Sequence, residues 1–245
     1  MSGNGPARQI VALGGGGFSM EPENLLLDRY VLGLSPAARP KVCFVGTASG
    51  DSQDYIDRFY AAYTTLPCEP THLALYRAPT ADLASFVLAQ DIVYVGGGNT
   101  RNLLALWREW GLDRVMRAAW RRGIILAGIS AGSICWFDFG TTDSIPGDLT
   151  VLPCLGFLPG SNCPHYDGEA ARRPSFHRFI AAGDMPGGYA ADDGVALHFT
   201  GETLTRIVSS RPRARAFRVE CGADGVTEAP LTPDYLGADA ERGES

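Results

Sequence analysis

The 245-residue chain contains no apolar run long enough to cross a bilayer as a helix. Its N-terminus lacks the succession of basic, apolar and cleavage segments that marks an export signal. Six cysteines in a chain of this length show no disulfide framework, so free thiols in a reducing compartment, and a cytoplasmic location, are expected. An excess of positive charge is also missing. The formal net charge of −6 gives no broad electrostatic reason to bind nucleic acid or an anionic membrane. Arg211, Arg213, Arg215 and Arg218 gather locally, but serine and proline precede them and acids follow, which reads as a solvated strand or turn face. His72, His165, His177 and His198 lack a recognisable spacing with other ligands, so neither a metal nor a cofactor is expected. Internal repeats and a domain linker are absent as well, which favours one α/β domain over 1–245.

The sequence does hold ample core-forming material. Apolar residues make up 45% and charged residues 20%, enough for a substantial core. Many of the 30 glycines follow short apolar runs, as turns at strand ends do. Ile10-Val11-Ala12-Leu13 runs into Gly14–Gly17, Lys41–Val45 into Gly46–Gly50, Asp91–Val95 into Gly96-Gly97-Gly98-Asn99, and Ile124–Ala127 into Gly128. A further strand is expected over Thr71–Leu75. Helical spacing covers Leu25–Leu34, Asp54–Tyr63, Ala81–Ala89, Leu103–Trp110 and Leu112–Arg121. Repeated strand–glycine–helix units predict a mostly parallel central sheet flanked by helices. From about 190 to 230 the pattern changes to Val195–Thr200, Leu204–Ser209, Ala214–Glu220 and Val226–Glu228 with turns between, an expected antiparallel extension of that sheet. The small, polar segment 238–245 reads as a frayed tail.

Gly128-Ile129-Ser130-Ala131-Gly132 directly follows the strand Ile124–Ala127. In a nucleophile elbow the chain turns sharply from strand to helix and projects a serine from the sheet end, and small neighbours are needed across the turn. Ser130 is therefore the candidate nucleophile, with Ser133 the weaker one and an ordinary capping serine the plainer reading. A serine hydroxyl needs a base. His165, in the proline-flanked loop Asn162–Asp167, suits that work better than His72, His177 or His198, which lie in a strand, a helix and a late strand. The acid that orients the base is expected at Asp143, in a turn between Ser130 and His165, because serine–acid–histidine is a recurring order. Asp143 can instead cap a turn, and Asp138, Asp167 and Glu169 are rivals.

Taken together and in order, Ala-Leu-Gly-Gly-Gly-Gly, Val93–Thr100, Gly128–Ser133 and Pro164-His165-Tyr166 resemble peptidase E-type serine peptidases, which are related to cyanophycinase-like peptidases. The resemblance spans most of Ile10–Val208. It implies an α/β fold related to class I glutamine amidotransferases and a Ser-His-acid triad on Ser130, His165 and Asp143. Glu169 is the alternative acid, since cyanophycinase-like relatives use glutamate. The Gly-Gly-Asn segment implies backbone N–H donors at Gly98 and Ala131 for an oxyanion, with Asn99 beside them for substrate. An arginine serves aspartate selectivity in peptidase E, and Arg172 or Arg173, in the segment 168–174, is the candidate here. The implied substrate is a short peptide cut through an acyl-enzyme, with dipeptidase action and a homodimer as options.

Two other readings stand beside this one. An esterase or amidase would use the same triad. A non-catalytic anion- or nucleotide-binding protein would use the glycine loops, but neither loop continues into a Walker pattern or forms a Gly-x-Gly-x-x-Gly fingerprint.

Overall fold

The computed structural model describes residues 7–77, 80 and 82–237, so the segment read as a frayed tail, 238–245, lies outside the described residues. The expected glycine-ended strands form as β1 (Gln9–Leu13), β2 (Lys41–Val45), β4 (Ile92–Val95) and β5 (Ile125–Ile129). The strand expected at Thr71–Leu75 begins two residues earlier, as β3 (Glu69–Leu73), where it pairs in parallel with β2 from Lys41↔Glu69 onward. Five parallel strands run in the order β1-β5-β4-β2-β3. β10 (Val195–Thr200) joins antiparallel beside β1, followed by β11 (Thr203–Ser209) and the short β14 (Asp234–Tyr235).

Alternation along these strands supplies two separate cores, because successive side chains leave opposite faces. Ile10, Ala12, Cys43, Val45, Val93, Val95 and Leu126 face one side, where α5 (Thr100–Trp110) and α6 (Leu112–Arg121) bury Leu103, Trp107, Met116 and Ala119. Val11, Leu13, Val42, Phe44, Ile92, Tyr94 and Ala127 face the other, covered by α2 (Leu26–Leu32) and α3 (Gln53–Tyr63). Of the helix read at 81–89, residue 81 lies outside the described residues; α4 (Leu83–Leu88) starts where Asp82 accepts the Ser85 N–H at 2.9 Å.

The C-terminal strands depart from the expected single extension. Only β10, β11 and β14 extend the main sheet. β12 (Ala216–Gly222) and β13 (Gly225–Leu231) instead belong to a second, six-stranded sheet with β9 (Gly188–Ala191), β8 (Leu158–Cys163), β6 (Phe137–Thr142) and β7 (Thr150–Pro153). Phe137, Leu158, Ala191 and Ala216 of that sheet share a core with Ile10 and Leu197 of the first and with Trp107 of α5. On its other face α8 (Arg172–Ala182) packs Phe176 and Ile180 against Cys163, Ala190 and Val219. The arrangement carries the loop after β8, which holds His165, to the carboxyl ends of the parallel strands.

One buried acid braces the glycine loop that follows β1. Asp28 is fully buried and accepts the Phe18 N–H at 2.9 Å and the Tyr63 hydroxyl at 3.0 Å. Phe18, in the single turn α1 (Gly17–Met20), packs edge-on against Phe44 and Tyr63. Burial raises the Asp28 carboxyl to about 6, with the two hydrogen bonds opposing that rise. The folded protein thus holds this proton more tightly than the unfolded chain does. The stabilising difference is fully present below about pH 4 and is lost as pH rises through about 6, at a cost of about 3 kcal/mol. Between pH 4.5 and 7.5 the melting temperature is therefore expected to fall more steeply in the unchanged protein than in Asp28→Asn. Parallel slopes in a thermal-denaturation series would contradict this.

Candidate active site

The turn after β5 has the form its glycines require. Ser130 has φ 55° and ψ −112°, a left-handed backbone that a non-glycine residue adopts at a cost of about 1–3 kcal/mol. Its N–H donates to the Leu13 carbonyl (3.2 Å), and its own carbonyl accepts the N–H groups of Ser133 and Ile134 (both 2.9 Å). The chain then enters the single turn α7 (Ala131–Ile134). A Cβ at Gly128 would overlap the Gly132 carbonyl, and one at Gly132 would overlap the Val95 carbonyl. Both flanking glycines are thus required by close backbone approach, while Ser130 remains half-buried at the strand end.

The loop between β4 and α5 lies directly against this serine. A Cβ on Gly97 would sit 3.3 Å from Ser130 Cβ and 3.8 Å from its Oγ. Tyr55 holds the loop by accepting the Gly97 N–H at 3.2 Å. Gly98 has φ 134°, and a Cβ there would collide with the Ala48 carbonyl. Among the described residues neither the Gly98 nor the Ala131 N–H takes a hydrogen-bond acceptor. Asn99, expected beside the substrate, uses both ends of its amide locally. Its Oδ1 accepts the Asn102 N–H and caps α5, and its Nδ2 donates to the Ser144 carbonyl, each at 2.9 Å.

His165 also has a left-handed backbone, φ 54°, and its N–H donates to the Gly14 carbonyl at 3.1 Å. Ser130 and His165 are thus tied to successive residues, Leu13 and Gly14, where β1 leaves the sheet. The acid paired with His165 differs from the sequence expectation. His165 Nδ1 meets Asp193 Oδ1 at 2.7 Å, with both side chains largely buried.

Asp143 lies elsewhere, with 64% of its side chain exposed and its Oδ1 3.8 Å from Arg172 Nη2. Glu169 reaches back to His165 only through its backbone N–H, which donates to the His165 carbonyl (3.1 Å). Its carboxylate grips Arg172 instead, at 2.7 and 3.3 Å. Asp138 accepts the Gly160 N–H, and Asp167 accepts the N–H of Asp193.

The two arginines expected to read a substrate carboxylate are already paired. Arg172 is buried, chelated by Glu169 and donating to the Thr141 carbonyl at 2.9 Å. Arg173 pairs with Glu228 of β13. Glu228 also accepts the Tyr166 hydroxyl (2.6 Å) and faces His177 Nε2 at 2.8 Å, which pins the β12–β13 hairpin to the loop that carries His165. The remaining histidines have tyrosine partners: His72 faces Tyr60 (2.9 Å) and His198 faces Tyr30 (2.7 Å).

Asp193 lies outside the interval between Ser130 and His165, where the serine–acid–histidine order places the acid. Its local signal is the Asp192-Asp193-Gly194 turn just before a strand. β10 runs antiparallel to β1, so the turn entering β10 arrives at the end of the sheet where β1 leaves. Gly194 N–H donates to Gly15 (3.0 Å) and Gly14 N–H to Val195 (2.8 Å) across that junction.

Comparison with known proteins identifies the family of the chain. The model of peptidase family S51 matches residues 10–207. The uncharacterized peptidase YgaJ of Bacillus subtilis (strain 168) is 58% identical over 230 residues, covering 94% of this chain and 100% of that protein. Peptidase E of Actinobacillus pleuropneumoniae serotype 5b (strain L20) is 31% identical over 127 residues, which span 47% of this chain and 53% of that protein. Among solved structures, a peptidase from an acI-B1 Actinobacterium superposes with a TM-score of 0.69 at 17% identity, covering 93% of this chain and 95% of its own. A putative peptidase E protein from Listeria monocytogenes EGD-e gives 0.57 at 15% identity, covering 92% and 100%. At such identities these two likenesses concern the fold. The family match and the relative aligned over its whole length make the chain a serine-type peptidase that belongs to peptidase family S51.

Proposed function

We propose that this peptidase hydrolyses short peptides through an acyl-enzyme on Ser130, with His165 as base and Asp193 as the acid that orients it. The observation that carries the reading is the 2.7 Å contact between His165 Nδ1 and Asp193 Oδ1, in a loop tied to the residue next to the one that anchors Ser130. With Nδ1–H donated to Asp193, the imidazole presents Nε2 as the basic nitrogen. His165 takes the Ser130 hydroxyl proton as Oγ attacks the peptide carbonyl. The N–H groups of Gly98 and Ala131, both without acceptors among the described residues, stabilise the oxyanion. His165 then gives the proton to the leaving amine and activates water for deacylation.

The reading gives Asn99, Arg172 and Arg173 structural work, since their polar groups are already engaged, and leaves aspartate selectivity out. The nucleophile at a strand-to-helix elbow of a parallel sheet supports kinship with class I glutamine amidotransferases. Six free cysteines, four of them buried, support a cytoplasmic protein.

A dipeptide and tripeptide library assayed in parallel with matched esters tests the substrate class. Peptide turnover with release of a free amine is expected. Ester turnover with no peptide hydrolysis across the library would favour the esterase reading instead.

A further inference from the structure

Asp193 follows Asp192 in a short turn, and its neighbours are fastened elsewhere. Asp192 exchanges hydrogen bonds with Arg215, through its N–H to the Arg215 carbonyl (3.0 Å) and its Oδ2 from the Arg215 N–H (2.8 Å). Gly194 donates to Gly15 at 3.0 Å. The Asp193 N–H itself is held by a single group, Oδ1 of Asp167, at 2.8 Å.

Asp167 lies two residues beyond His165, on the loop that carries the base. The Tyr166 N–H between them donates to the Ala191 carbonyl at 3.1 Å. The base-bearing loop and the acid-bearing turn are therefore joined at three successive points: His165 to the Asp193 carboxylate, Tyr166 to Ala191, and Asp167 to the Asp193 backbone. Around the carboxylate the chain leaves room. A Cβ on Gly15 would overlap Asp193 Oδ1, and one on Gly168 would lie 2.7 Å from Oδ2. A carboxylate with glycines on both sides has little side-chain packing to hold it, so its position depends on how the backbone is anchored.

We propose that Asp167 is a positioning residue for Asp193, fixing its backbone so that Oδ1 stays on His165 Nδ1, while Gly168 keeps the slot open. The proposal rests on the Ser130-His165-Asp193 reading. It assigns Asp167 the task of a hydrogen-bond acceptor. Its charge is secondary, because a second carboxylate beside Asp193 is repulsive and only the N–H makes the contact favourable. Displacing a catalytic group by about 1 Å costs up to about 10²-fold in rate.

The test compares kcat and KM of Asp167→Ala, Asp167→Asn and Asp193→Asn on one peptide, with melting temperatures alongside. Asp167→Ala is expected to lower kcat about tenfold while KM stays within about twofold, a barrier change of about 1.4 kcal/mol. Asp167→Asn retains an acceptor oxygen and is expected to recover most of that loss. An unchanged kcat in folded Asp167→Ala overturns the proposal, as does a loss expressed in KM alone, which would place Asp167 on the substrate. An equal loss in Asp167→Asn and Asp167→Ala also overturns it. Full activity in Asp193→Asn overturns the underlying triad reading instead, so the two failures are distinguishable. Where Asp167→Ala does not fold, Gly168→Ala carries the same test: its Cβ presses on Asp193 Oδ2, and an undiminished kcat overturns the proposal.

Discussion

Ser130→Ala is expected to remove peptide hydrolysis almost entirely, with kcat falling by about 10⁴-fold or more, while the protein stays folded. In the proposed mechanism the hydroxyl supplies the atom that attacks the carbonyl, so its removal leaves no nucleophile. Ser133 is fully buried and donates its hydroxyl to Asn162 Oδ1 at 3.0 Å, away from that work. The fold should survive because the elbow is held by backbone groups. The Ser130 N–H to Leu13, and the Ser133 and Ile134 N–H groups to the residue-130 carbonyl, are all retained in the variant. Residual activity is to be measured with a discontinuous amine-release assay, and folding by circular dichroism. A folded Ser130→Ala protein that still cuts peptides at the original rate would refute the mechanism.

Asp193→Asn carries the second largest expected effect, a loss of about 10²–10⁴-fold in kcat. The substitution preserves size but lets the amide present an N–H to His165 Nδ1, which favours the tautomer whose Nε2 carries the proton and cannot accept one from serine. The imidazolium formed during the reaction also loses its counter-charge in a largely buried place. Asp143→Asn serves as the comparison. That carboxylate is mostly exposed and stands 3.8 Å from Arg172, so its neutralisation is expected to change kcat by less than about twofold. Both variants are read from initial rates under saturating peptide.

The parts of this site that local sequence could reveal are those dictated by local sterics. Gly128 is needed because the Gly132 carbonyl approaches it from four residues away, a requirement written within one five-residue stretch, whereas Gly132 answers to the Val95 carbonyl of β4. The parallel strands ending in glycine are legible for the same reason, since each βα turn carries its own glycines. Asp193 is of another kind. It meets His165 because β10 lies antiparallel beside β1, which depends on sheet order and on contacts 28 residues apart. The second sheet is hidden similarly: β12 and β13 have ordinary strand patterns, and the pairing of β12 with β9 through Ala216↔Ala191, with β13 on the other side of β12, shows which sheet they join. The partner of Arg173, Glu228, is 55 residues away along the chain, while Arg172 has Glu169 three residues before it and the Thr141 carbonyl 31 residues before it.

The central claim, a Ser130 activated by His165 under Asp193, is tested most directly by covalent labelling with a serine-reactive phosphonate followed by peptide mapping. One adduct is predicted, on the peptide containing Ser130, formed at the original rate in Asp143→Asn and much more slowly in His165→Ala and Asp193→Asn. An adduct on another residue, or fast labelling in Asp193→Asn together with slow labelling in Asp143→Asn, would contradict it.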